Sequence, residues 1–589
     1  MCGIFVVIPK LNKKLNIDKC KIALKDLDKR GPDWSLYQVI DNIFFGQTVL
    51  SMTGKNKKDI NNHYSKKKNF FILFNGEIYN HKKLVANNYS KTQNIPDTKI
   101  LVDLFDKKKP NKINNILDGM YSYVVVDKIK KKIFISRDSQ GEKSLYKFES
   151  SEFIIFSSEI NPILKFANKL SIDKEVFKSY FLSRHFIQFE KSIFKEIKNI
   201  QPGEFWEYSI AKKKLKRKKT FSVKSLINKN DYYLNQTKKE EELVEELENL
   251  LKDNLKQMIP PNRDFCSILS GGIDSSLVSI LLREISKCNK FIAINHIGKD
   301  RISNKTKLFE KSLKKSVISL NVNKKKYKKY LEEAVDICNS PISSHDFVGK
   351  LIIAEKLKNI NCKAVFGGDG ADELFGGYNT YLKYAKNTNH NTSDYTKIIK
   401  TKIFGKNYRN KYFESRIARE WKKCLKAYDF IKDKKEQNKQ AMMLMDSTLQ
   451  LSSVGMRGCD LMSMSYSIEP RSIFLRKSIM KFALNLPLKF KINISKKDGI
   501  KTKILLKKLF IKYFSKKLIF KKQGFSGFPN EMATYLGNKN SYKILKELKL
   551  SQFKKGFKKL DKKEIWKIIN SEFFIRNFNS KISKYCLSK

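Results

Sequence analysis

Met1-Cys2-Gly3-Ile4-Phe5 opens the chain, so removal of the initiator methionine leaves one residue carrying both a thiol and a free α-amine. A thiolate is a strong nucleophile, and an α-amine with a pKa of about 8 can accept its proton close to neutral pH. Nucleophile and base would then come from a single amino acid. Taken alone, Cys2 reads as a small buried residue opening the strand Ile4–Ile8, the usual fate of a free cysteine. Two later motifs change that weighting.

The first, Phe265-Cys266-Ser267-Ile268-Leu269-Ser270-Gly271-Gly272-Ile273-Asp274-Ser275-Ser276, reads as a strand, a glycine turn and a helix over Leu277–Glu284. Glycines let backbone N–H groups face an anion, and the helix N-terminus adds its positive end, which makes a phosphate cradle. The loop lacks the GKS/T ending of a site that holds a transferable γ-phosphate. SGGxDS resembles the loop of the ATP pyrophosphatases, which cut ATP between the α and β phosphates. The second motif, Val365-Phe366-Gly367-Gly368-Asp369-Gly370-Ala371-Asp372-Glu373-Leu374-Phe375-Gly376-Gly377-Tyr378, packs three carboxylates among glycines after an apolar strand. Such carboxylates are costly to hold together without a cation, and magnesium on pyrophosphate is the natural partner. The bland alternative is a solvated acidic turn.

These motifs need scaffolds. A chain of 589 residues suggests two or three domains, and 41% hydrophobic with 12% aromatic residues is enough for cores despite 30% charged residues. The net charge of +61 is spread from Lys10 to Lys589 without a nucleic-acid signature, so it reads as a solvated lysine surface and predicts no specific nucleic-acid partner. Nine cysteines without CxxC or cysteine-histidine spacing argue for a reducing, cytoplasmic setting rather than disulfides or zinc. No segment approaches the roughly 18 apolar residues of a membrane span. Short β-rich runs (Ile4–Ile8, Phe70–Phe74, Ser122–Val126, Ile133–Ser136, Phe153–Phe156) predict sheets before about Tyr208. Ala211–Lys219 and Asn228–Gln236 read as a connection, with a basic hairpin as the alternative for the first piece. From Lys238, a helix over Glu240–Leu255 and then alternating strands and helices predict an α/β domain with a parallel sheet.

Cys2, Arg30-Gly31-Pro32-Asp33, Asn75-Gly76-Glu77-Ile78-Tyr79-Asn80, the SGGIDSS loop and GGDGADELFGGY, in this order, resemble a glutamine-dependent asparagine synthetase of the class II amidotransferase type over nearly the whole chain. Arg137-Asp138 with Gly141 and Leu145-Tyr146, Ser158-Glu159 and Lys522-Gln523-Gly524-Phe525 agree with it. The resemblance implies an N-terminal-nucleophile hydrolase sheet sandwich over residues 2–209, a connection over 210–236 and a parallel-sheet ATP-pyrophosphatase synthetase domain over 237–589, α+β followed by α/β. It implies that Cys2 attacks glutamine, that Asn75 and Gly76 donate to the oxyanion, and that Asn75, Glu77 and Asp97 bind glutamine. Leu269, Ser270, Gly271, Gly272, Asp274, Ser275, Ser276, Ile294, Gly368 and Asp369 would contact ATP, and Asp274 and Asp372 would hold Mg2+. Asp369 would orient or deprotonate ammonia, and Lys503 would neutralise charge at the α-phosphate, unless it is an ordinary surface lysine. The reaction implied turns aspartate, glutamine and MgATP into asparagine through β-aspartyl-AMP, with ammonia crossing an internal tunnel. Amidation of another carboxylate is the alternative, and a basic polyanion-binding protein on a decayed scaffold the remote one. A homodimer is left open.

Departures from the family pattern carry their own expectations. Val49 stands where an arginine clamps the glutamine carboxylate, and an unpaired buried carboxylate is expensive. Lys99 replaces an acid, Ser144 a proline, Gly367 a serine and Arg476 an acid. The last two loosen the case for free aspartate as acceptor.

Overall fold

The computed structural model describes residues 2–10, 13–52, 59–86, 95–183, 186–286, 288, 290–294, 302–384, 410–493, 501–520 and 562–586. The Lys522–Phe525 motif lies outside the described residues. The strands in chain order are β1 Cys2–Pro9, β2 Trp34–Ile40, β3 Ile43–Val49, β4 Phe70–Ile78, β5 Gly119–Asp127, β6 Lys132–Arg137, β7 Tyr146–Glu149, β8 Phe153–Ser157, β9 Ile197–Asn199, β10 Glu204–Ser209 and β11 Lys214–Lys219. They are followed by β12 Phe265–Ile268, β13 Phe291–Ile294, β14 Val317–Leu320, β15 Ala364–Gly367 and β16 Glu469–Ser472.

The first eleven strands form two antiparallel sheets, ordered β2-β3-β1-β8-β7-β9 and β11-β10-β6-β5-β4. Alternation along each strand sorts side chains between the two faces. Ile4, Val6 and Ile8 of β1 meet Phe71 and Leu73 of β4 and Val124 and Val126 of β5 between the sheets. Phe5 and Val7 point outward, to a core shared with the helices Ile17–Leu24 and Lys174–Leu182. Ile72, Phe74 and Val125 point to the opposite outside, under the helix Asp97–Lys107. Two sheets between helical layers give the expected sandwich. The basic stretch Lys214–Lys219 is β11, paired with β10 at the edge of the second sheet, so the hairpin alternative holds for this part of the 210–236 segment.

The later strands form one parallel sheet ordered β14-β13-β12-β15-β16. The chain moves outward from β12 to β14, then returns to lay β15 on the other side of β12. That reversal makes the carboxyl ends of β12 and β15 the switch point, where open parallel sheets bind ligands. The glycine loop leaves β12 and the acidic turn leaves β15. The helix Glu240–Met258 packs Leu243, Leu247, Leu251 and Leu255 into the core beside this sheet.

Candidate active site

Cys2 starts β1 and Asn75 lies in β4 of the facing sheet, and the Cys2 backbone nitrogen donates to Asn75 Oδ1 at 3.1 Å. Asn75 Nδ2 is buried and has no hydrogen-bond partner among the described residues. An unmet buried donor costs on the order of 1–3 kcal/mol, and beside a nucleophile a developing oxyanion can satisfy it. At Gly76, φ is +151° and a Cβ would fall 2.0 Å from the Met120 carbonyl oxygen, so a larger residue does not fit. Burial pushes the Cys2 thiol up, opposed by hydrogen bonds with Gln47 and Leu50.

Asp97 opens the helix Asp97–Lys107, where its carboxylate accepts from Ile78 N at 3.1 Å and from Thr98 N at 2.9 Å. Burial raises its pKa, and His81 and these two N–H groups pull it back down. Glu77, the third residue of the implied glutamine site, turns its carboxylate toward the second half of the chain. Its carboxylate lies on Arg471, beside Glu469, and all three side chains are buried.

Cys2 and Val49 are cross-strand neighbours in the β1–β3 register, so residue 49 stands directly beside the nucleophile. A cation reaches this corner from the second half of the chain: Arg263 Nη2 pairs with Asp33 Oδ2 at 2.6 Å, and its Nε donates to the Ser51 carbonyl at 2.9 Å. Asp33 in turn accepts from Ser51 N at 2.9 Å, and its own N–H bonds the Val49 carbonyl at 3.0 Å. Of the other departures in this half, Lys99 bridges Asp103 at 3.0 Å and the Tyr64 carbonyl at 2.8 Å.

At the second site, Ser270 N and Oγ both meet Ser275 Oγ, at 3.2 and 2.9 Å, and Gly271 takes the left-handed conformation at φ +72°. Leu269 is buried at the end of β12, and its N–H donates to the Ile292 carbonyl of β13, which ends at Ile294. Ser276 Oγ, in the first turn of the helix Ile273–Ile285, is buried without a hydrogen-bond partner among the described residues. Gly368 lies so close to this helix that a Cβ would fall 2.6 Å from the Asp274 Cβ.

Lys503 Nζ lies 2.5 Å from Asp274 Oδ2 and 2.6 Å from Asp372 Oδ1, with the side chain 6% exposed. The surface-lysine alternative therefore fails. Lys503 also sits at φ +50°, a conformation that costs a non-glycine residue energy and that clusters at functional sites. Although burial favours its neutral form, the two carboxylates raise its pKa. Asp369 pairs with Lys350 at 3.2 Å, and Glu373 is pushed up to about 8 by burial and by Asp372.

The seam between the halves joins residues that the sequence analysis names, such as Arg30, Ser144 and Arg476, to partners that it missed, Asp460 and Glu142 among them. Arg30, fully buried, donates from Nε to the Cys2 carbonyl at 3.2 Å, from Nη1 to Glu159 at 3.1 Å and from Nη2 to Asp460 Oδ1 at 2.8 Å. The Ser144 N–H reaches Asp460 Oδ2 at 3.1 Å, a bond that the family's proline has no hydrogen to make. Arg476 pairs with Glu142 and lies 4.5 Å from the Tyr79 ring centroid, which puts this departure from the family pattern in the seam. A cavity in the same seam is lined by Arg137, Ser144, Tyr146 and Gln188 on one side and by Ser452 and Arg457 on the other. The available signal was the pair Arg457 and Asp460, the two charges of a helix whose other residues are uncharged.

Two families match the sequence. A glutamine amidotransferase domain covers residues 1–221, and asparagine synthase covers residues 246–573. The relatives include the putative asparagine synthetase [glutamine-hydrolyzing] 2 of Methanocaldococcus jannaschii, 26% identical across 64% of this chain and 70% of the relative. Asparagine synthetase [glutamine-hydrolyzing] 2 of Bacillus subtilis is 26% identical across 61% of this chain, which spans about half (49%) of that protein. Asparagine synthetase [glutamine-hydrolyzing] 3 of the same bacterium is 24% identical across 86% of this chain and 84% of its own length. A solved glutamine phosphoribosylpyrophosphate amidotransferase from B. subtilis covers 54% of this chain and 81% of its own, at 12% identity and a TM-score of 0.28. No helix among the described residues is long and apolar enough to cross a membrane.

Proposed function

Because this chain belongs to the asparagine synthase family, we propose that it is a glutamine-hydrolysing, ATP-dependent ligase that converts aspartate to asparagine through β-aspartyl-AMP. Residues 2–209 would release ammonia and residues 237–589 would activate the acceptor, with 210–236 connecting them. The observation that carries this reading is the pairing of two sites in one chain, an unmet Asn75 Nδ2 at Cys2 and a cation-bridged carboxylate pair at the parallel-sheet switch point.

At the first site, the Cys2 amine takes the thiol proton and the thiolate attacks the glutamine carboxamide carbon. Asn75 Nδ2 and the Gly76 N–H stabilise the oxyanion, and collapse to the thioester expels ammonia, which carries off the proton. Water then hydrolyses the thioester to glutamate. Ammonia would cross the seam between the halves.

At the second site, Ser270, Gly272 and Ser276 hold phosphates of ATP, and Asp369 orients ammonia toward the activated carboxylate. Asp274 and Asp372 fit Mg2+: they are hard carboxylates converging on one positive charge, and magnesium uses one or two carboxylates together with substrate phosphates. No group of three or more His, Cys, Asp or Glu side chains among the described residues is arranged as a metal site by itself. When bound, the ion would neutralise charge on the departing pyrophosphate. Lys503, held at the same point, would neutralise the α-phosphate.

Gly367 leaves open the amidation of a different carboxylate, because a Cβ there would come within 3.0 Å of Asp369 Oδ2, and glycine leaves that space for the acceptor. A cytoplasmic location and a homodimer are part of the same proposal. Release of AMP and pyrophosphate across a panel of carboxylates tests the reading. Aspartate should give the largest signal. ADP and orthophosphate in place of AMP would overturn it.

A further inference from the structure

The two oxygens of Asp369, the acid that orients ammonia in the ligase reading above, have different surroundings. Oδ1 accepts from Lys350 Nζ at 3.2 Å, and the same ammonium donates to Cys459 Sγ at 2.9 Å. Oδ2 makes no hydrogen bond among the described residues, and it borders the space that Gly367 leaves, where a Cβ would lie 3.0 Å from it. Lys350 comes from the helix Asp346–Asn359, between the buried Gly349 and Leu351, and its side chain is 20% exposed. Burial alone favours a neutral amine there, and Asp369 above all keeps it charged. A lone carboxylate at this place would be a trap: ammonium pairs with it, and ammonium has no lone pair with which to attack. A cation already on Oδ1 cancels that attraction and leaves Oδ2 to accept one N–H of neutral ammonia.

We propose that Lys350 is a positioning residue for the incoming nitrogen, which turns the Asp369 carboxylate from an ammonium-binding group into one that receives neutral ammonia. In the step it serves, the nitrogen lone pair forms the C–N bond, and the bond from the acyl carbon to the phosphate oxygen breaks with its electron pair leaving on AMP. The proton shed by nitrogen passes to Asp369 Oδ2. Lys350 takes no part in the transfer. Its charge sets which form of the nitrogen sits at Oδ2, and the Cys459 sulfur, on the helix Arg457–Met464, fixes where that charge stands. The inference rests on the ligase reading above.

The test runs ammonium-dependent asparagine formation beside exchange of labelled pyrophosphate into ATP, which reports adenylation of aspartate before nitrogen arrives. Potassium chloride, at ionic strength held constant with choline chloride, supplies an unreactive ion of ammonium's charge and similar size. In the wild type, potassium should not compete with ammonium. In Lys350→Met, amide formation should fall at least about tenfold further than exchange, the ammonium KM should fall together with kcat, and potassium should inhibit in competition with ammonium. Lys350→Arg, which restores the charge, should recover most of the amide formation and lose the potassium inhibition. Competition by potassium in the wild type, a readout that needs no variant to fold, overturns the positioning role while the ligase reading stands. So do equal losses of amide formation and exchange in Lys350→Met. A wild type that releases no AMP with any carboxylate overturns the ligase reading, and this inference with it.

Discussion

Arg30 and Asp460, 430 residues apart, meet at 2.8 Å with both side chains wholly buried, and the other edge of the same guanidinium holds the backbone of Cys2. Removing one charge from such a pair leaves the other uncompensated, at a cost of about 3–5 kcal/mol. Asp460→Asn should therefore lower the unfolding free energy by about 3 kcal/mol, Glu159 keeping part of the arginine's partnership. It should depress glutaminase turnover more than ammonium-dependent synthesis. Denaturant melts and the two assays check this. Equal losses of both activities would mean general loosening instead.

Cys2→Ala should abolish glutamate release from glutamine and leave synthesis from ammonium largely intact, because the second site has its own chemistry. Protein that retains Met1 should behave the same way, since its amine is displaced from the thiol. Mass spectrometry of the mature N-terminus beside both assays decides the point, and undiminished glutaminase in the variant would refute the assignment.

Asp274→Asn or Asp372→Asn each removes one of the two charges on Lys503. Either should suppress magnesium-dependent AMP and pyrophosphate formation by two orders of magnitude or more, the scale on which loss of a preorganised electrostatic group acts, with glutaminase surviving. Titrating Mg2+ against AMP release separates a weakened metal site from a misfolded one.

Val49 faces the position beside Cys2 with no charge to offer glutamine's carboxylate. A lost hydrogen bond to a charged group is worth about 1.5–3 kcal/mol, so the glutamine KM should be raised tenfold or more. Val49→Arg should lower it without changing ammonium-dependent turnover. If the wild type binds glutamine at micromolar concentrations and Val49→Arg is neutral, the clamp has moved. Arg263, already at this corner on Asp33, is then the residue to change next.

Acidification should weaken the fold through two histidines. Burial pulls His63 and His345 down to about 4, from an ordinary value of about 6.5. The unfolded chain then binds more protons between these values, so stability falls as pH drops through this window, by at most about 1.4 kcal/mol per pH unit for each histidine. Glu142, pushed up to about 7 by burial, acts in the opposite sense over the same range, so the difference between proteins is the informative quantity. His345→Gln should lose less melting temperature than the wild type between pH 7 and pH 5. A parallel decline would show that His345 is not the titrating group.

Both candidate sites were legible because their chemistry is local. Cys2 with its amine, the SGGIDSS turn and the GGDGADE turn each concentrate glycine, carboxylate or thiol within a few residues, and the β-rich runs carry the alternation of two facing sheets. The seam was not legible, because Arg30 finds Asp460 only through the fold. Lys350 is also one of 120 basic residues, and nothing in the sequence separates a buried lysine from a surface one. Ala211–Lys219 reads equally as a connection or a basic hairpin for a related reason: lysines blunt the exposed edge of a sheet, and an edge strand so protected loses the hydrophobic alternation that identifies strands.

The ion pairs of the seam also limit how such a protein can be recombined. Arg30 and Lys143 meet Asp460, Glu77 meets Arg471, and Glu142 meets Arg476, so each half supplies both signs. A chimera that joins this glutaminase half to a relative's synthetase half would bury whichever charge arrives without its counterpart. Transplanting either half therefore means carrying these pairs across together, and a lineage that exchanged domains would have to change both sides of the seam at once.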